Sequence, residues 1–347
     1  MSRSNLRASF AACAARTYPD LHPQTGRRCV TSQSPRKSLK LVSPRGFCAG
    51  VERAISIVDR MLDLVEGPLY VRKEIVHNRA VVDDFTSRGV VFVDELDEVP
   101  AGATVVFSAH GVSPAVRADA DARGLRVVDA TCPLVTKVHK QVVGQANRGR
   151  HIVLIGHAGH DEVEGTMGEA PDSIDLVTSE DDARTLTVPA GKDVYYVTQT
   201  TLSVDETHGI VQELQARIPD LQGPAKSDIC YATQNRQDGV KRLVADGIDH
   251  LLVVGSPNSS NSRRLCEVAE KAGVPAQLVG GPDDLDLDEL CQKVNIGLTA
   301  GASAPEHLVQ SIVACFRGRG WDVEDVVVME EDVRFELPPE VRGVSSP

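Results

Sequence analysis

From about residue 39 onward, short runs of β-branched and aliphatic residues alternate with longer stretches whose apolar positions recur every three or four residues. The first kind reads as buried strands and the second as amphipathic helices. The predicted strands are LKLVSP (39–44), GPLYVRKEIV (67–76), TVVFSAHG (104–111), LRVVDATC (125–132), HIVLIGHAG (151–159), SIDLVTS (173–179), DVYYVTQT (193–200), HLLVVGS (250–256) and VNIGLTAG (294–301). The predicted helices lie in VERAISIVDRMLDLV (51–65), PLVTKVHKQVVGQANRG (133–149), DETHGIVQELQARI (205–218), ATQNRQDGVKRLVADG (232–247), SSNSRRLCEVAEKAG (259–273) and APEHLVQSIVACFRGRG (304–320). Strand and helix in alternation imply α/β layers built on mostly parallel sheets. Several strands end in Gly, Ser, His or Asn just ahead of a helix, and ligands of open α/β sheets collect at that carboxyl edge.

A repeat runs through this alternation. Three cysteines each precede a predicted helix: Cys48 in GFCAGVERA, Cys132 in DATCPLVTK and Cys230 in DICYATQNR. A polar strand-end cluster follows each at a near-constant interval, with His77 29 residues after Cys48, His160 28 after Cys132 and Ser259 29 after Cys230. A second cluster follows in each third, at His110, Thr200 and Ser303, with offsets of 62, 68 and 73 residues. The pattern predicts three similar α/β domains in a pseudo-threefold arrangement, each presenting one thiol and two polar loops to a common axis. The expected boundaries are a basic extension over 1–38, domains over 39–132, 133–229 and 230–330, and a C-terminal tail over 331–347. The first strand is free to join the third domain.

Composition changes the picture at the edges. The 347 residues are 41% hydrophobic and 25% charged, with a net charge of −12. No global basic field exists to neutralise phosphates, which argues against nucleic acid as the main partner. A small anion needs only local donors and remains compatible. No apolar run reaches the ~18 residues of a membrane span. Residues 1–40 carry eight Arg and Lys against the single acid Asp20, a net +7, and the rest of the chain is −19. That segment reads as a disordered extension, with an organellar transit peptide as the rival reading. The C-terminal stretch from Val323 reads as a partly ordered strand followed by a solvated tail. None of the eight cysteines falls in a CxxC or a Cys/His zinc spacing. Cys13, Cys29, Cys266, Cys291 and Cys315 read as isolated thiols.

Three thiolates meeting at one axis repel each other unless a cation sits between them, so metal ligation is the natural use of Cys48, Cys132 and Cys230. Three sulfurs without a fourth suit a cubane iron–sulfur cluster with one open iron. Zinc with a bound water suits them as well, and spacing alone leaves both open. The loops around the axis carry His77, His110, His160, Ser259, Ser260, Asn261 and Ser303, a donor set that fits a phosphate or diphosphate beside helix N-termini. Glu162 and Glu164 place carboxylates near that anion, where one can deliver a proton. His157 reads as supporting the same loop, while His139, His151, His208, His250 and His307 read as structural. No GxGxxG nicotinamide fingerprint is present.

The blocks GFCAGVERAI, EIVHNRAVV, FSAHGVSP, DATCPLVTKVH, IGHAGHDEVEGTMGE, TQTTLSVDET, DICYATQNRQ, GSPNSSNSRRL and GLTAGASAPE run in order from about residue 39 to 317. In these blocks the chain resembles the LytB/IspH family of 4-hydroxy-3-methylbut-2-enyl diphosphate reductases, which act last in the non-mevalonate isoprenoid pathway. The resemblance implies three α/β domains around a central 4Fe–4S cluster, with Cys48, Cys132 and Cys230 on its ligand positions and one iron open. It implies diphosphate binding by His77, His110, His160, Ser259, Ser260, Asn261 and Ser303. It puts Glu162 on the proton-delivering position and Thr200 on a neighbour that positions the hydroxyl and water. Two electrons and two protons would remove the substrate's allylic hydroxyl, giving isopentenyl and dimethylallyl diphosphate. A reduced ferredoxin or flavodoxin would supply the electrons, and the location would be the bacterial cytoplasm. Against this stand two other classes: a zinc-dependent phosphoester hydrolase and a cluster-bearing redox sensor without turnover.

Overall fold

The computed structural model describes residues 36–342. Residues 1–35 of the basic extension, with either reading of it, lie outside the described residues. The described residues hold the strands β1 (Ser38–Ser43), β2 (Leu69–Arg72), β3 (Val90–Val93), β4 (Thr104–Phe107), β5 (Arg126–Asp129), β6 (His151–Ile155), β7 (Ile174–Val177), β8 (Val194–Thr198), β9 (His250–Val254), β10 (Ala276–Val279), β11 (Asn295–Ala300) and β12 (Asp322–Val327). They form three sheets, ordered β10-β9-β11-β1-β12, β3-β2-β4-β5 and β7-β6-β8. Every pairing is parallel.

Parallel sheets carry helices on their faces, so their strands are buried on both sides and read as continuous apolar runs. β6 (HIVLI) is buried at all five positions, and Leu251–Val254 of β9 are all buried. Separate apolar clusters cover the two faces of the β9–β11 sheet, one around Leu252, Leu298 and Phe316, the other around Leu251, Val253 and Leu265. The first strand crosses to the last sheet: β1 lies between β11 and β12, with Leu39 opposite Ile296 on one side and Val323 on the other.

Two strands, β3 and β10, escape the sequence pattern: each has four residues, and β10 (AQLV) buries only Val279. β12 (DVEDVV), the strand expected from Val323, is an edge strand whose acids face solvent. Ser38, assigned to the extension, is the first residue of β1 and donates its hydroxyl to Asn295 at 3.0 Å. The solvated-tail reading is also corrected. Val341 is fully buried, and Glu331 lies against the buried Arg236. One acid of this segment, Glu331, faces a specific buried partner, while Glu330, Asp332, Glu336 and Glu340 face water.

Leu39→Ala tests whether β1 is integral to this sheet. Leu39 is fully buried, and its truncation is expected to lower stability by about 2–4 kcal/mol in urea unfolding. A loss below about 1 kcal/mol would show that this strand is dispensable.

Candidate active site

Each of the three cysteines caps a helix: Cys48 the helix Ala49–Leu64, Cys132 the helix Pro133–Ala146, and Cys230 the helix Tyr231–Ala245. Their backbone amides are latched to strand-end loops. Cys48 donates to the carbonyl of Ala302 (3.2 Å), Cys132 to that of Ala109 (3.0 Å) and Cys230 to that of Thr200 (2.9 Å). Each latch therefore joins a thiol to the second polar loop of the preceding sheet, and the three turns face one another. Gly50 shows how closely. A Cβ there would lie 2.7 Å from Cys132 Sγ and 3.8 Å from Cys48 Sγ, so only glycine leaves the sulfurs room.

All three thiols are free. Burial raises the pKa of Cys48 despite the pull of Arg236 and the amides of Val51 and Gly50. Burial, then the neighbouring Cys48, pushes Cys132 up to about 12 and Cys230 up to about 11. The helix N-termini favour thiolates, but desolvation outweighs them. In the bare protein the three sulfurs are neutral. A bound cation would reverse this, because coordination deprotonates a thiol outright.

The thiols open into a cavity with an empty volume of about 750 Å³, lined by all twelve candidate residues: Cys48, Cys132, Cys230, His77, His110, His160, Glu162, Thr200, Ser259, Ser260, Asn261 and Ser303. Val51, Val76, Leu134, Val135 and Phe335 complete an apolar wall beside the sulfurs. The rings of His77 and His110 stack at 3.9 Å, and His160 stands edge-on to both at 5.2 and 5.8 Å. His160 accepts the Glu162 amide at Nδ1 (3.1 Å), which leaves its ring proton on Nε2. Burial, then the neighbouring His77, holds His110 well below its usual range and His160 down at about 3. Both are neutral imidazoles at pH 7 in the free site.

The opposite wall is hydroxylic. Ser303 donates to the carbonyl of His77 at 2.9 Å. Ser259 caps the helix Ser260–Lys271, accepting the Ser262 amide at 3.3 Å. Ser260 Oγ is buried without a hydrogen-bond partner among the described residues, a group left waiting for a ligand. Asn261 is partly engaged by the protein. Its amide nitrogen donates to Thr233 Oγ1 (3.1 Å), and its oxygen accepts from the Ala302 amide (2.9 Å). It braces the loop that carries Ser303.

Glu162 is 3% exposed and accepts from Thr200 twice, from the amide at 2.6 Å and the hydroxyl at 2.9 Å. Burial raises its carboxyl to about 7 against the downward pull of those two bonds. It can therefore hold a proton near neutral pH. Glu164, on the same short helix, is exposed and does not line the cavity. His157 turns away: its Nδ1 meets Gln199 Oε1 at 3.1 Å and its Nε2 meets Arg264. It reaches the site only through Gln199, which donates to Thr201 Oγ1 at 3.0 Å.

Several neighbours were missed in the sequence. Glu74 accepts from Asn258 (2.6 Å) and lies 3.1 Å from His77 Nδ1, fixing that ring. Its position three residues before His77 was the available signal. Asp161 lies 3.9 Å from His77 Nε2 and 3.8 Å from His110 Nδ1. Phe335 comes from the tail and carried no signal at all.

A model of the family described as LytB protein matches residues 39–317. A protein from Pseudomonas aeruginosa named 4-hydroxy-3-methylbut-2-enyl diphosphate reductase is 54% identical over 309 residues, covering 88% of this chain and 98% of its own. The structure of the E-1-hydroxy-2-methyl-but-2-enyl-4-diphosphate reductase from Plasmodium falciparum superimposes with a TM-score of 0.86 at 39% identity, covering 88% of this chain and 97% of that one. A second solved structure, described as (E)-4-hydroxy-3-methyl-but-2-enyl diphosphate reductase, the terminal enzyme of the non-mevalonate pathway, gives a TM-score of 0.59 at 28% identity over 81% of this chain and 99% of that one.

The raised carboxyl of Glu162 has a signature in stability. Its folded value of about 7 lies above its ordinary 4.5, so the folded state binds more protons between these values. Stability is then lost as pH rises through that window. Glu162→Gln is expected to stabilise the metal-free protein by roughly 3 kcal/mol near pH 8 and not near pH 4. Denaturant midpoints at both pH values check this. A pH-independent difference would contradict it.

Proposed function

The chain belongs to the LytB protein family, and from that membership we propose that it reduces (E)-4-hydroxy-3-methylbut-2-enyl diphosphate to isopentenyl and dimethylallyl diphosphate, the last step of the non-mevalonate pathway. The observation that carries this reading is the single cavity shared by three convergent thiols and a donor-rich wall of imidazoles and hydroxyls. The reaction consumes two electrons and two protons, breaks the allylic C–O bond and releases water. The hydrolase reading gains nothing from the relatives, which are named as reductases.

The residues present fit an iron–sulfur cluster. Cys48, Cys132 and Cys230 are free and line one cavity beside Gly50. These three would hold a 4Fe–4S cluster and leave one iron without a protein ligand. Bound there, the cluster would supply electrons singly and a Lewis-acidic iron. His160, with its proton on Nε2, and Ser260, whose hydroxyl has no partner among the described residues, would donate to the diphosphate. His77, His110 and Ser259 would line it, Ser303 would turn its hydroxyl from the His77 carbonyl to reach it, and Asn261 would hold the loop in register. An anion in this dry pocket gains more from each such bond than it would in water. Glu162 would deliver a proton to the leaving hydroxyl, with Thr200 fixing the carboxyl. Hydroxide is a poor leaving group, so that proton is where the chain's own chemistry counts most.

The three sheets support reading 39–132, 133–229 and 230–330 as domains, with β1 given to the third. The electron donor in this reading is a reduced ferredoxin or flavodoxin. Among the described residues no helix is long and apolar enough to cross a membrane, and the bacterial relatives favour a cytoplasmic location.

Oxygen-free protein with a reduced viologen and the substrate tests this directly. Wild type is expected to form both products, two electrons consumed per turnover. Cys132→Ser is expected to lose iron and turnover together. Glu162→Gln is expected to keep its iron and lose at least roughly a hundredfold in kcat; a wild-type rate would remove Glu162 from the mechanism. The acid form of Glu162 is the active one, so the rate falls as pH rises past about 7. Thr200→Val deletes a hydroxyl that pulls this carboxyl down. It is expected to move that limb to higher pH, and a shift to lower pH would contradict the assignment.

A further inference from the structure

Arg236 heads the fully buried side chains, and no water reaches it. A guanidinium in such a place must find a partner for its donors. Its Nε and Nη2 donate to the carbonyl of Gly46 at 3.2 and 2.7 Å, and its Nη1 to that of Ala232 at 2.9 Å. Gly46 lies two residues before Cys48, and Ala232 two after Cys230. One planar cation thus bonds the turns that carry two of the three thiols.

Its counter-ion comes from the far end of the chain. Glu331 Oε1 accepts from Arg236 Nη1 at 2.9 Å and from Asn235 Nδ2 at 2.9 Å. A second arginine repeats the device. Arg53, on the helix capped by Cys48, donates to the carbonyl of Thr131 (3.1 Å), next to Cys132, and to that of Glu336 (2.9 Å). All three thiol turns are therefore tied to residues 331–336. Phe335, between the two ties, forms part of the cavity wall.

We infer that Arg236, with Glu331 as its counter-ion, is a positioning residue that sets the spacing of the Cys48 and Cys230 turns and makes residues 331–336 a clamp on the thiol site. A buried ion pair is weak support for stability, since apolar packing often replaces it without loss. Its value here is geometric. The fork spans two carbonyls and a carboxylate in one plane, which the point charge of lysine cannot do. The inference rests on the reading that the thiols hold a cluster.

Arg236→Lys and Glu331→Gln, prepared without oxygen beside wild type, test it. Two quantities are read: the rate of iron loss to bathophenanthroline disulfonate, and the paramagnetic resonance spectrum after dithionite reduction. Both variants are expected to lose iron roughly tenfold faster, as removal of ligand-orienting partners does, and to show a shifted spectrum. If Arg236→Lys does not fold, Glu331→Gln keeps the shape of a side chain at the protein's edge and decides alone. Wild-type release and spectrum in Glu331→Gln would overturn the clamp while leaving the cluster reading intact. A wild-type protein without iron would overturn both.

Discussion

The structure turns on three half-buried thiols held face to face in one cavity. Burial alone keeps them neutral, with Cys132 pushed up to about 12 and Cys230 to about 11. Their placement at three helix N-termini gives partial positive charge, but not enough to ionise them. Only a cation bound between the sulfurs turns the site from three weak apolar contacts into a strong anchor. The fold around it brings those sulfurs to one cavity, with Gly50 leaving the gap beside them open.

The parallel sheets supply that organisation. Every strand in a sheet runs the same way, so the turns that follow collect at one edge. Each cysteine amide then bonds to a loop at the end of the sheet that precedes it, at Ala302, Ala109 and Thr200. The same loops bear Ser303, His110 and Thr200. Holding the sulfurs and presenting the anion donors are thus one mechanical task. The burial that keeps the thiols neutral also keeps His110 and His160 uncharged and Glu162 near neutrality.

Much of this was legible in the sequence, because a strand, a turn and a helix occupy a fixed length. The 28–29 residue interval from each cysteine to the next polar cluster is one such unit, so His77, His160 and Ser259 could be placed from spacing. The second clusters followed by the same rule. What could not be read were the partners that meet across the chain. Arg236 and Glu331 lie 95 residues apart, and Asn258 and Glu74 lie 184 apart. No local pattern marks such pairs. The strand from Val323 was expected, but Phe335 in the following segment stood without periodicity. The tail therefore looked solvated when it closes the cavity and braces the thiols. Asn261 was found by position, and part of its amide also braces the protein itself.

The central claim is that the three thiols hold iron and sulfide. The most direct measurement is a count of both per chain in protein purified without oxygen, with its visible spectrum. The account predicts a brown protein with roughly four iron and four sulfide, its absorption near 400 nm bleached by dithionite. A colourless protein carrying a single zinc would contradict it.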